Sequence, residues 1–240
     1  IEFHEYSKDR VKAVCSHFGT CGGCKWQQMD YQKQLFYKNK EVQDHLQRIG
    51  GVAPEVVMPI LAAPDQLYYR NKMEYSFSNH KWLTIEEIRS KTEIKNRNAL
   101  GFHIPGYWDK ILDLKECHLQ DPKGNELRDF IKTKAEELGL EFFDPKTRKG
   151  HLRNLILRNT TLGQWMVLIQ FYEDPGYLKD ELLHSVAETF PGVSSLLYVI
   201  NRKANDTLYD QDIKVFSGEN YITEVMGELS FHINAKSFYQ

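Results

Sequence analysis

Three of the four cysteines crowd into one glycine-rich stretch, CSHFGTCGGC, and no other feature restricts the fold as tightly. Cys15, Cys21 and Cys24 stand in a C-x5-C-x2-C spacing with Gly19, Gly22 and Gly23 among them, and Cys117 is the one remaining thiol. Glycine enters positive φ without steric cost and lets a backbone wrap closely around a compact inorganic centre. Three thiolates from one loop leave one position of a four-thiolate site, which Cys117 can fill. Such a donor set suits either an iron–sulfur cluster or structural zinc. Zinc sites tend to pair two short knuckles, so three cysteines in one loop with a remote fourth favour a [4Fe–4S] cluster. Zinc and four unrelated thiols are the alternatives.

Hydrophobic residues make up 41% and charged residues 27% of the 240, the balance of a globular chain able to bury a core. No apolar run approaches the roughly 20 residues that span a bilayer. The opening IEFHEYSKDR lacks a basic-then-apolar export pattern. A cytoplasmic location and no membrane partner are the expectations, and four cysteines in that setting point to metal ligands or buried thiols before disulfides. The net charge of −2 says little, but its distribution is uneven. Between Asp144 and Arg158, five cations (Lys146, Arg148, Lys149, Arg153, Arg158) face Asp144 alone; between Asp206 and Glu228, six acids face only Lys214. The basic stretch fits either an RNA-binding face or ordinary solvated surface.

After the cysteine loop, WQQMDYQKQLFYKNKEVQDHLQRIG places Leu35, Val42, Leu46 and Ile49 on one helical face, and Gly50–Gly51 end it. A proline-containing connector leads to YYRNKMEYSFS. There Tyr69, Asn71, Met73, Tyr75 and Phe77 alternate with Arg70, Lys72, Glu74 and Ser76, the period of a half-buried strand. Two strands are expected around Pro105–Gly106, and a helix over residues 121–138 with Leu127, Ile131, Ala135 and Leu138 as its stripe. HLRNLILRNT and QWMVLIQFYE read as strands joined near Gly163. A helix over residues 178–190 precedes the strands SSLLYVIN, DIKVFSG and YITEVMGELSFHI. The fold class is α+β, a mostly antiparallel sheet with helices packed on it, preceded by the cysteine-rich loop and a helix. Strand–strand–helix occurs twice, without a convincing sequence repeat. There is no G-x-G-x-x-G after a strand, no P-loop and no nucleophile elbow. With every thiol assigned to the metal, no catalytic group is expected within these residues.

The segments CSHFGTCGGCKWQQMDYQKQLFYK, YRNKMEYSF, LGFHIPGYWDKILDLKECHLQ, GHLRNLILR and INAKSFYQ, in this order, resemble the S-adenosylmethionine-dependent RNA uracil-5-methyltransferases, specifically their iron–sulfur 23S ribosomal-RNA branch. The resemblance covers nearly the whole chain. It implies that Cys15, Cys21, Cys24 and Cys117 ligate a [4Fe–4S] cluster, and that Gln240 contacts S-adenosylmethionine. It divides the chain into residues 1–50 (cluster loop and helix), 51–233 (central α+β RNA-binding domain) and 234–240 (the start of a methyltransferase domain). Members of that family continue past this glutamine into a Rossmann-like domain with the nucleophilic cysteine and the base, and many begin with a small RNA-binding β-barrel. The chain is therefore expected to be the middle of a longer enzyme and inactive alone.

In such enzymes a thiolate adds to carbon 6 of uracil, making carbon 5 nucleophilic toward the methyl sulfonium, and the base must leave its stack. Ribosomal RNA is the expected partner, and no protein partner is implied. Arg70, Lys72, Arg153 and Arg158, read as lying on strand faces, are the expected RNA contacts, with Phe102, His103 and Trp108 as stacking candidates. The alternative for each is a solvated strand face or an aromatic core residue. Uracil methylation transfers no electron, so the cluster's expected role is to staple two distant segments. Two rival readings are a free-standing, non-catalytic iron–sulfur or zinc RNA-binding module and an electron-transfer protein; nothing in the chain points to the shuttle partner that the second needs.

Overall fold

The structure, a computed structural model, describes residues 4–239. It forms two compact units, Ile1–Gln66 and Leu67–Gln240. The division falls at Gln66/Leu67 rather than after Gly50, so the proline-containing connector groups with the cysteine loop. A hydrogen bond from Ala63 N–H to the Tyr31 hydroxyl (2.9 Å) ties this connector to the helix that follows the cysteine loop.

In the first unit, helix α1 (Tyr31–Arg48) starts where Asp30 accepts hydrogen bonds from the N–H groups of Gln32 and Lys33. Gln34 Nε2 reaches back to the Met29 carbonyl (2.9 Å). The helix ends at Arg48, with Ile49 as its C-cap directly before the predicted glycine stop. None of its residues is buried, and Ile49 is 83% exposed. The periodic stripe thus marks the helix correctly without forming a core in this unit.

The second unit is built on a seven-stranded sheet. Its strands are β1 (Lys72–Ser78), β2 (Ala99–Ile104), β3 (Tyr107–Asp113), β4 (Leu152–Asn159), β5 (Trp165–Phe171), β6 (Val193–Ile200) and β7 (Lys214–Gly218), in the spatial order β3-β2-β1-β4-β5-β6-β7. All neighbours are antiparallel except β5 and β6. Helix α4 (Tyr177–Thr189) makes the crossover that a parallel pair requires. The mixed α+β architecture agrees with the sequence reading. The short helix α2 (Ile85–Arg89), closed by a Thr84/Glu87 capping box, was not expected.

Helix α3 (Pro122–Glu137) starts at an Asp121 cap with proline in its first turn, and buries Leu127, Ile131 and Ala135 completely. Its Arg128 guanidinium lies 5.6 Å from the centroid of the Tyr75 ring, which places α3 over the face of the sheet carrying Tyr75 and its cross-strand partner Leu155. The opposite face changes character along the sheet. Toward β5 and β6 it is apolar: Ile156, Met166, Leu168, Leu197 and Val199 pack with Ile222 and Ile233. These last two come from a separate hairpin, β8 (Tyr221–Met226) and β9 (Leu229–Asn234). Toward β1 and β2 the same face carries Glu74, Ser76, Asn154 and His103, a polar floor.

Candidate functional site

The cysteine loop of the first unit is drawn together at its neck. Arg10 and Met29 form an antiparallel bridge, and Asp30 N–H donates to the Asp9 carbonyl (3.0 Å). Within the loop, Phe18 N–H donates to Cys15 O, and the N–H groups of Thr20 and Cys21 both donate to His17 O, winding the chain into tight turns. Gly19 (φ 87°) and Gly22 (φ 73°) adopt the left-handed conformation that the sequence assigns to glycine. Cys15, Cys21 and Cys24 are half-buried. Cys15 N–H is held by Gln27 Oε1 (3.1 Å), and His17 N–H points at Cys15 Sγ (3.4 Å), the kind of amide contact that stabilises a thiolate. The donor chemistry fits a thiolate-held metal or cluster. Among the described residues, however, no three of His, Cys, Asp or Glu converge on a point able to hold a metal ion.

In the second unit Cys117 is buried, 8% exposed, and its backbone is clamped on both sides. Its N–H donates to Asn125 Oδ1 (2.9 Å), and Asn125 Nδ2 donates to its carbonyl (3.1 Å). The fully buried Arg128 holds that clamp, donating from Nη1 to Asn125 Oδ1 (2.8 Å) and from Nη2 to Lys115 O (2.9 Å). The next two carbonyls accept from Tyr68 and Arg70 N–H groups, 2.8 Å each, tying this segment to the approach to β1. Neither Asn125 nor Arg128 is a metal ligand: Asn125 holds the Cys117 backbone, and Arg128 holds Asn125 and the Lys115 carbonyl; the one sequence hint is their spacing along a helix that begins just after the cysteine.

The four predicted RNA-contacting cations fall into two groups. Arg70 precedes β1 and is half-buried, and Lys72, the first strand residue, pairs with Glu74 at 3.7 Å. Arg153 and Arg158 correct the reading of a polar strand face, because they are only 7% and 2% exposed. Arg153 donates to the carbonyls of Asn201, Lys203 and Ala204 (3.2, 2.8 and 3.2 Å) and lies over the rings of Phe143 and Tyr172. Burial pushes its pKa down and Asp206 opposes the shift. Arg158 donates to the carbonyls of Ala235, Ser237 and Tyr239 (3.0, 2.9 and 3.5 Å). A guanidinium is the side chain best suited to gathering several carbonyls with one charge. Two loops take up the donors that phosphates were expected to meet.

The segment clamped by Arg158 leads to Gln240, which lies outside the described residues. Glu224 fastens the same segment. It accepts from Tyr239 Oη (2.5 Å), from Thr161 Oγ1 and N–H, and from its neighbour Val225 N–H. Burial would raise the Glu224 pKa, but these donors outweigh it and bring the carboxyl down to about 2.

The stacking candidates also separate. Phe102, half-buried, stacks on the fully buried Tyr75, ring centroids 5.2 Å apart. His103 and the 65%-exposed Trp108 line a cavity of 360 Å³ on the polar side of the sheet. Arg148, Asn154 and Asp206 line the same cavity; Arg148 and Asp206 entered the sequence reading only as members of charge runs, and Asn154 not at all.

No family model matches the chain. It aligns over its full length with a Bacteroides thetaiotaomicron protein named an uncharacterized RNA methyltransferase, at 43% identity and covering 54% of that relative. A Porphyromonas gingivalis protein of the same description is 45% identical, again over the whole chain and 53% of the relative. Its homologues are named RNA methyltransferases. The chain spans about half the length of these curated relatives. Among solved structures, the Pyrococcus abyssi tRNA (uracil-54, C5)-methyltransferase, in complex with S-adenosyl-L-homocysteine, matches 100% of the chain and 49% of its own. The TM-score is 0.69 at 25% identity. No described helix is long and apolar enough to cross a membrane.

Proposed function

We propose that this chain is the central part of an S-adenosylmethionine-dependent RNA uracil-5-methyltransferase acting on 23S ribosomal RNA in the cytoplasm. The observation that carries the reading is full-length alignment with named RNA methyltransferases, joined to a fold match with a uracil-5-methyltransferase. In this reading Cys15, Cys21, Cys24 and Cys117 hold a [4Fe–4S] cluster, which supplies a cross-link and no step of methyl transfer. Two features support it: the closed neck gathers the three loop cysteines into one tightly turned segment, and the Asn125 clamp holds the backbone of Cys117.

The chain's own task is to grip RNA and to present the segment ending in Gln240. Arg158 and Glu224 hold that segment on the sheet, so a cofactor contact at Gln240 starts from an anchored backbone. The thiolate addition at carbon 6 is assigned to residues beyond these 240. Arg70 and Lys72 retain the part of RNA contacts in this proposal; Arg153 and Arg158 do not.

The test is methyl transfer by the full-length protein from labelled S-adenosylmethionine to transcripts of 23S ribosomal RNA and of transfer RNA, with the product nucleoside identified by mass spectrometry. The expected product is 5-methyluridine in the ribosomal transcript. Exclusive labelling of transfer RNA would overturn the substrate assignment, and methylation at another atom would overturn the uracil-5 assignment. Iron and sulfide analysis of anaerobically purified protein should give about four of each per chain; one zinc and no iron would replace the cluster by zinc.

A further inference from the structure

We propose that the cavity between the β2–β3 hairpin and the loops following Phe143 and Asn201 binds one unstacked guanine nucleotide of the RNA, a neighbour of the methylated base and not the base itself. The inference rests on the RNA-methyltransferase reading and assigns that surface a specific ligand.

Four observations on this cavity point the same way. Its 360 Å³ lies within the range of small-ligand sites, about 300–1,000 Å³. Trp108 stands at its rim with most of its ring exposed, a platform on which any base can stack. Arg148 lines the same cavity, exposed, with a φ of 55°. A non-glycine residue there is strained, although the turn is otherwise well held: Arg148 N–H donates to Asp144 O (2.8 Å), and Asp144 Oδ1 accepts from Lys146 N–H (2.8 Å) and faces His80 Nε2 (3.1 Å). The exposed guanidinium can pair with a phosphate at the mouth of the cavity.

The fourth observation is the chemistry of two lining residues. The buried Asn154 and the exposed Asp206 meet in the cavity wall, Asn154 Nδ2 lying 3.4 Å from Asp206 Oδ2. A carboxylate only accepts hydrogen bonds. Guanine presents two adjacent donors, N1–H and the 2-amino group, and can meet both carboxylate oxygens. Uracil flanks its single N3–H with two carbonyls, which a carboxylate repels. Arg153 gives the arrangement rigidity, because its bonds to three carbonyls of the Asn201–Ala204 segment fix the loop that carries Asp206. A site fixed before its ligand arrives loses less entropy on binding.

The experiment compares binding of the pentaribonucleotides UUGUU and UUUUU to the 240-residue chain, by calorimetry and Trp fluorescence. UUGUU should bind about 5- to 150-fold more tightly, the discrimination of one good bidentate base contact. Asp206→Asn should abolish that preference. Trp108→Ala should weaken UUGUU by a similar factor, and Arg148→Gly should weaken both oligonucleotides without lowering the melting temperature. Equal affinity for the two pentamers, or a G preference untouched by Asp206→Asn and Trp108→Ala, overturns the site; so does absence of binding to both. Methyl transfer by the full-length protein is measured separately, so loss of the nucleotide site leaves the RNA-methyltransferase reading standing or failing on its own result.

Discussion

At the scale of single residues, Glu224 shows how a buried charge can hold a chain segment in place. Its carboxylate is surrounded by donors from Thr161, Val225 and Tyr239, and charge-assisted bonds of this kind are stronger than neutral ones. The folded pKa of about 2 lies below the ordinary 4.5 of a glutamate. A depressed carboxyl contributes stability that is complete above its unfolded pKa and disappears as pH falls through the folded value. Glu224 should therefore stabilise the second unit by up to about 3 kcal/mol at neutral pH, lost between roughly pH 4.5 and 2. Glu224→Gln should lower stability at pH 7 by about 1–3 kcal/mol and flatten the pH dependence in that window. Urea unfolding of both proteins from pH 2 to 7 checks this, and parallel curves would rule out the linkage. Arg158 works on the same segment from the other side, but through backbone carbonyls, so its effect carries no such pH signature.

The elements divide according to where their information lies. Helices α3 and α4 and strands β4 to β6 are legible in the sequence because their burial is periodic or continuous; Leu127, Ile131 and Ala135, for instance, are fully buried as the stripe predicts. The start of β1 is not legible, since the alternation beginning at Tyr69 runs ahead of the strand, which begins at Lys72. The two buried arginines mislead for a physical reason: their partners are carbonyls 48 to 81 residues away, which no local pattern encodes. The seat of Cys117 lies between these cases. The cysteine is visible, while the Asn125 clamp depends on α3 starting at Pro122 and turning its first coil toward residue 117. Asn125→Ala removes an acceptor and a donor from a buried backbone and leaves Arg128 Nη1 short of a partner, and should cost about 2–4 kcal/mol. Asn125→Asp keeps the acceptor for Cys117 N–H and adds a charge facing Arg128, so it should recover part of that loss. Melting temperature together with bound iron per chain measures both; an Asn125→Ala protein with unchanged iron and melting temperature would show that the clamp does not position Cys117.

The two units of the molecule differ in what can hold them folded. The second contains the buried side chains of the sheet and its helices; the first has no buried residue among those described, and leaves Phe36, Val42, Ile49 and Leu61 exposed. A segment of about 60 residues without a core cannot offset its conformational entropy through apolar burial, and small units of this kind rely on a disulfide, a metal or a partner. A four-thiolate centre fits that need, because metal binding free energy in such units is folding free energy. Anaerobic removal of the metal should then abolish amide protection in α1 and the cysteine loop and leave the protection of β4 to β6 unchanged. Cys117→Ser should reproduce that pattern, since the proposed cross-link requires all four thiolates. Hydrogen exchange read by mass spectrometry on the holo, metal-free and Cys117→Ser proteins distinguishes the cases by location as well as extent. Full protection of α1 in both metal-depleted forms would sink the staple and require another source of order for the first unit. Loss of protection throughout the sheet would show that the metal holds the second unit as well, despite its own buried core.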